Sequence, residues 1–217
     1  MATDTETRAR DRAADAGRRP YRFSVGQFWR LLDSGIIPES HVELVRGRIY
    51  RMTRHEPHNF STRRAARLLE ALLPQGLYVR KEESMRHEDS SVLEPDVAVV
   101  PGSADAFQAD LPKTSEAALI VEVCASTRTS DYRLKTRLYA SAGVPVYWVV
   151  DVDGRKIDVF SEPTGAGREA SYSRHAAFAE GEPAPVVVDG VEVGRIDAKE
   201  LLPPLENPKK PTTNPPA

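Results

Sequence analysis

The apolar positions change their period several times along this chain. Ser24 precedes Phe28, Leu31 and Leu32 at helical spacing, and Gly35 supplies a stop. From His41 to Met52 apolar and polar residues alternate on both sides of Gly47, which predicts a β-hairpin turning at Arg46-Gly47. Residues 58–73 carry Ala65, Leu68, Leu69, Leu72 and Leu73 on one helical face, and Pro74 ends that helix. Strands are predicted at residues 77–82, 96–100, 118–124 and 146–151. Between the last two lies a helix at 130–141, capped by Ser130 or Asp131 and closed by Gly143. An Asp153-Gly154 turn leads into a further strand at 156–160. Beyond Glu162 the pattern weakens to short strands near 171–174 and 186–193 and a helical turn at 198–201. The middle of the chain thus reads strand, strand, helix, strand. That order predicts a mixed central sheet with helices packed on it, an α/β (α+β) fold.

Composition sets the limits. The 217 residues, 40% hydrophobic and 29% charged, suit one domain with its own core. Residues 1–20 are polar and mixed in charge and read as a disordered extension. Residues 203–217 hold six prolines and read as a disordered tail, leaving 21–202 as the folded unit. A single cysteine, Cys124, excludes an internal disulfide framework and a zinc site built from several cysteines. No run approaches the roughly 20 apolar residues of a membrane helix. The first residues carry no signal-peptide core, so the expected location is the cytoplasm, away from membranes. The net charge of -2 argues against coating nucleic acid by bulk charge but leaves room for a local basic groove.

Three acids stand among apolar neighbours: Glu43 between Val42 and Leu44, Asp96 between Pro95 and Val97, and Glu122 between Val121 and Val123. A carboxylate buried in a strand without a partner costs several kcal/mol, on the order of the price of any unpaired buried polar group. The ordinary reading is a half-exposed strand face. For Glu43 it has force, because the hairpin alternates and carries Arg46 and Arg48. For Glu122 it is weak, and for Asp96 a turn cap competes with it. If such acids converge, something must neutralise them, and a hard divalent cation held by carboxylate oxygen is one solution. Lys135 lies near the edge of the apolar face of its helix. It is either a snorkelling lysine or an ammonium aimed at the same place.

The succession Glu-Leu-Val-Arg-Gly-Arg-Ile, a lone His, Pro-Asp-Val-Ala-Val-Val, Ile-Val-Glu-Val-Cys-Ala-Ser, Lys-x-x-x-Tyr and Ala-Gly-Val-Pro-Val-Tyr-Trp-Val-Val-Asp resembles the Uma-two family. That group is described as restriction endonucleases of the PD-(D/E)xK nuclease superfamily. The resemblance covers residues 23–160. It implies a restriction-endonuclease-like core and a metal-dependent endonuclease that hydrolyses DNA phosphodiesters. Asp96 then matches the aspartate of the PD motif, and Glu122 the acid of the second half-motif. Cys124 stands where the superfamily places its lysine, and Lys135 on the following helix matches the displaced one. Glu43 matches an early glutamate of the family. Asp96, Glu122, Lys135 and Glu43 are the implied catalytic set, with Asp96, Glu122 and Glu43 as ligands of Mg2+, for which Mn2+ could substitute. His58 matches a recurrent histidine with no assigned role and reads as a core or surface residue.

Seven arginines and one acid, Glu56, lie between Arg46 and Arg67. Arg128, Arg133, Lys135 and Arg137 face only Asp131 in a second stretch. Arg63, Arg64, Arg67 and Arg128 are the expected contacts to a DNA backbone. The competing reading makes these solvated faces, paired with Glu82, Glu83, Glu88 or Asp89. The alternative function is a nuclease-fold protein with a weak or lost site that binds nucleic acid or a partner. A homodimer is compatible with either.

Overall fold

The computed structural model describes residues 19–37, 41–52, 55–107, 110–124 and 129–205, with the side chains of 129–132 left aside. Most of the predicted extension and tail, and Arg128, therefore lie outside the described residues.

The first helix, α1 (Val25–Asp33), opens on a capping box in which Ser24 and Gln27 bond each other's backbone. The hairpin follows as β1 (Val42–Val45) and β2 (Arg48–Arg51). Its turn residues Arg46 and Gly47 have φ of 50° and 77°, the two positive values that a tight hairpin turn needs. Gly47 also has no room for a side chain. A Cβ there would lie 2.8 Å from the Arg22 Cβ and 3.0 Å from the Phe23 carbonyl oxygen. Gly47→Ala is expected to destabilise the protein by about 1–3 kcal/mol, read from urea unfolding.

Helix α2 (Glu56–Leu72) takes Pro57 in its first turn and ends before Pro74. Strands β3 (Leu77–Lys81), β4 (Met85–His87), β5 (Ser91–Leu93), β6 (Val97–Pro101) and β7 (Leu119–Cys124) follow. Helix α3 (Thr129–Ser141) begins one residue earlier than expected, so Ser130 and Asp131 lie inside its first turn and neither is the cap. Its end is closed by Gly143, whose φ of 76° lets Val144 N–H reach back to the Tyr139 carbonyl.

Next come β8 (Val146–Asp151), β9 (Lys156–Thr164) and β10 (Ser171–Ala179). The turn between β8 and β9 spans Val152 to Arg155. The left-handed residue is Arg155, at 50°, while the Asp151 carboxylate takes the Gly154 N–H. The chain closes with β11 (Ala184–Val188), β12 (Val191–Ile196) and α4 (Ala198–Leu201). Where one strand was expected at 186–193 there is a hairpin, turning at Asp189-Gly190 with φ of 50° and 79°.

The strands build a six-stranded sheet in the order β10-β9-β8-β7-β6-β3, a four-stranded sheet β2-β1-β5-β4, and the β11–β12 ribbon. Only β7 and β8 run parallel in the six-stranded sheet, joined through α3, so the sheet is mixed as the sequence predicts. Alternation along its strands sorts the core. Val97, Val99, Val121, Val123, Trp148 and Val150 face α2, the ribbon and α4. Ala98, Val100, Ile120, Tyr147 and Val149 face α3 and the small sheet. Helix α1 closes the far side of the small sheet with Phe28 against Leu44 and Val92. Among the described residues no helix is long and apolar enough to cross a membrane.

Candidate active site

The same alternation decides where the acids point. Glu122 has the parity of Ile120 and so faces α3. Val97 pairs with Val121, so Asp96, just before β6, continues the ladder to a place beside Glu122. Its Oδ2 accepts the Val123 N–H at 2.7 Å, which fixes the carboxylate at the end of the sheet. The imidazole of His58, on α2, meets the same Oδ2 through Nε2 at 3.1 Å. His58 is neither a plain core nor a surface histidine. It braces Asp96 from the opposite face.

Glu43 arrives from the other sheet. It is buried, with only 4% exposure, which corrects the half-exposed reading of its hairpin. Alternation sends Val42 and Leu44 toward α1 and leaves Glu43 facing the large sheet. Its Oε1 accepts the Glu94 N–H at 2.8 Å and the Lys135 ammonium at 2.6 Å. Lys135 also donates to Glu122 Oε1 at 2.9 Å. The lysine is therefore not snorkelling. It is a buried bridge between carboxylates that lie 79 residues apart in sequence, Glu43 and Glu122. Tyr139, one turn along α3 and fully buried, donates its hydroxyl to Glu122 Oε1 in a short bond. The Lys-x-x-x-Tyr spacing puts both donors on one helix face. Tyr139 stood in the quoted motif, but sequence gave no reason to read its hydroxyl as anything but core.

Electrostatics follow from this enclosure. Burial raises the Glu122 carboxyl to about 8; the Lys135 charge opposes that rise, and Asp96 and Glu43 add to it. Burial alone would lower Lys135, but Glu122 and Glu43 overcome it and hold the ammonium above its ordinary range. Tyr139 is pushed well up, first by burial and then by the two glutamates, and stays a donor.

A stability consequence follows. The folded state keeps a proton on Glu122 that the unfolded chain releases near 4.5, so stability should fall as pH rises from about 4.5 to 8. Lys135 does not offset this, because its contribution is lost only above the ordinary lysine range. Urea unfolding across that window checks the slope, and Glu122→Gln should flatten it. Since the Tyr139 bond lowers the Glu122 pKa, Tyr139→Phe should move the upper end of the window to higher pH, by about one unit for the loss of a bond to a charged group.

The basic residues divide. Arg63 pairs with Glu56 at 2.8 Å, and Arg64 donates from Nε to the Glu200 carbonyl at 2.8 Å. Arg67 is exposed on the same helix. Glu82 pairs with Lys81, and Glu83 with Arg80.

A protein-family model described as "Putative restriction endonuclease", Uma2, matches residues 27–192. The chain belongs to the Uma2 family. The match extends past residue 160, so the weakly patterned segment through β11 and into the start of β12 is part of the family's domain. The crystal structure of a "putative nuclease belonging to DUF820" from Anabaena variabilis ATCC 29413 is similar. Its TM-score is 0.63 at 15% identity, over 84% of this chain and 97% of that one. That likeness supports the fold. No curated protein matches the chain.

Register sets Asp96 opposite Glu122, two carboxyl groups of the kind that can hold magnesium, which commonly keeps several waters while held by one or two carboxylates. Among the described residues no three acids, imidazoles or thiols form a ready metal cluster. Glu43 gives its Oε1 to Lys135 and to the Glu94 N–H.

Proposed function

We infer that this Uma2 protein is a metal-dependent endonuclease acting on DNA, with Asp96 and Glu122 as the magnesium ligands. The observation that carries the reading is the ammonium of Lys135 held between Glu43 and Glu122, with Asp96 next to Glu122 in the strand register. A lysine from a helix thus reaches Glu122, the acid that in the wider superfamily stands two residues before a lysine on the strand. Magnesium bound there would neutralise charge on the scissile phosphate and lower the pKa of a bound water.

The chain's own residues set the conditions. Asp96 is kept oriented by the Val123 N–H and His58. Glu122 must give up its proton to serve as a ligand, and the pKa near 8 makes that step favourable only when a cation compensates the charge. Lys135, held charged and anchored by Glu43, would orient the attacking water and offset negative charge on the phosphate. Tyr139 fixes the Glu122 rotamer throughout.

The test is plasmid nicking with Mg2+, with Mn2+, and with a chelator. Nicking in either metal and none in chelator is expected. Nicking that persists in chelator, or none in any metal, overturns the reading. One observation favours a second reading, a nuclease-fold protein that binds nucleic acid without cutting it: the side chains of Glu43, Asp96 and Lys135 are only 5–11% exposed. DNA binding without nicking in any metal is its expected result.

A further inference from the structure

We propose that the pocket between α2, the β8–β9 turn and α4 binds a flanking nucleotide of the substrate strand, as a subsite separate from the acids that meet Lys135. This inference rests on the nuclease reading. The pocket holds about 480 Å³, within the size range of small-ligand sites. Phe60, Leu202 and Pro204 give it an apolar floor, and Arg64, Arg155 and Lys199 ring it with cations. An aromatic floor with a cationic rim is the pairing that holds a single-stranded nucleotide: the base packs on the ring and the phosphate meets the cations.

Of the three cations, Arg155 pairs with Glu180 and Lys199 lies near Asp197, which leaves Arg64 as the one turned to an incoming anion. Arg64 spends only its Nε, on the Glu200 carbonyl, and among the described residues it has no carboxylate partner. Its terminal nitrogens keep their fork for a phosphate. Lys199 is 66% exposed, and its ammonium is 3.6 Å from Asp197. Asp197 itself is taken by the Gly181 and Lys199 N–H groups. Glu200, the acid in the lining, is turned to the Asp197 N–H in the cap of α4. Arg155 forms the pocket wall. It bonds Glu180 and the Pro203 carbonyl, while its buried Nε has no hydrogen-bond partner among the described residues.

Position ties the pocket to the strand being cut. Cys124 pairs with Asp151, and Asp151 with Lys156, so the turn carrying Arg155 leaves the sheet at the end where Glu122 and Asp96 lie. Helix α2 touches both places, through His58 at Asp96 and through Phe60 and Arg64 at the pocket. Six residues of helix separate His58 from Arg64, about 9 Å of rise, or about two to three nucleotide steps of a strand. Residues 199–204, on α4 and just after it, supply Lys199, Glu200, Leu202 and Pro204 of the lining.

Binding of a labelled 20-nucleotide single strand, and of the matching duplex, to the full chain in chelator tests the subsite. The variants are Arg64→Ala with Lys199→Ala, and Phe60→Ala. Arg174→Ala, on β10, is the control. The double variant is expected to weaken binding about tenfold and to lower the salt slope by about 2. Phe60→Ala is expected to weaken the single strand about tenfold and the duplex less. Lys199→Glu, at an exposed position that leaves packing untouched, should weaken both. Adenosine monophosphate and inorganic phosphate serve as competitors to separate a free anion site from a strand site. Parent-like affinity in the double variant and in Lys199→Glu overturns the subsite, and so does full displacement of DNA by inorganic phosphate at low millimolar concentration. Parent-like binding by the variants alongside metal-dependent nicking removes the subsite and leaves the nuclease reading. Weakened binding by the variants in a parent that never nicks removes the nuclease reading and leaves the subsite. A parent that binds no nucleic acid removes both.

Discussion

Asp96→Asn and Glu122→Gln should each reduce metal-dependent nicking on the order of a thousandfold, the cost of several kcal/mol of lost charge stabilisation. Neither change should unfold the protein. An amide oxygen at 96 can still accept the Val123 N–H, and one at 122 can still accept from Lys135 and Tyr139. DNA affinity in chelator should therefore match the parent. Magnesium binding measured by calorimetry should be lost in both variants. Retained nicking by either variant would remove that residue from the ligand set.

The second large effect belongs to Lys135. Lys135→Met leaves Glu43 and Glu122 buried without their shared cation. Breaking a buried pair from one side costs about 3 kcal/mol or more. Urea unfolding should show that loss. Glu122, relieved of the charge that opposes its rise, should hold its proton to still higher pH, and nicking should fall with it. Adding Glu43→Gln to Lys135→Met should restore part of the stability, because the stranded charge is then gone, but none of the activity. A double variant no more stable than Lys135→Met would mean that the Glu43–Lys135 bond contributes little to the fold.

The strong periodicities foretold the frame. The valine-rich runs of β6, β7 and β8 and the Arg46-Gly47 turn left few other options. Asp96, Glu122 and Lys135 were singled out because charged groups inside apolar patterns need partners, and the structure supplies them. Other features escaped for physical reasons. Strands β4 and β5 are three residues each, in a polar stretch rich in Arg, His, Glu and Asp, so alternation had no length to show itself. The Asp189-Gly190 hairpin has the same dipeptide as the turn before β9, but the unbroken Val186–Val188 run on its first arm shows no alternation and its second arm has only Val191-Glu192-Val193 before Gly194. Glu43 read as exposed because a hairpin's alternation tells which residues share a face, not which face a second sheet will cover. His58 and Tyr139 touch the acids only through tertiary packing, which no local pattern encodes.

The lysine bridge has a bearing on biosynthesis. Its parts come from two sheets and a later helix, so the Glu43–Lys135–Glu122 bridge cannot form until residues 43 through 139 have left the ribosome and both sheets have docked.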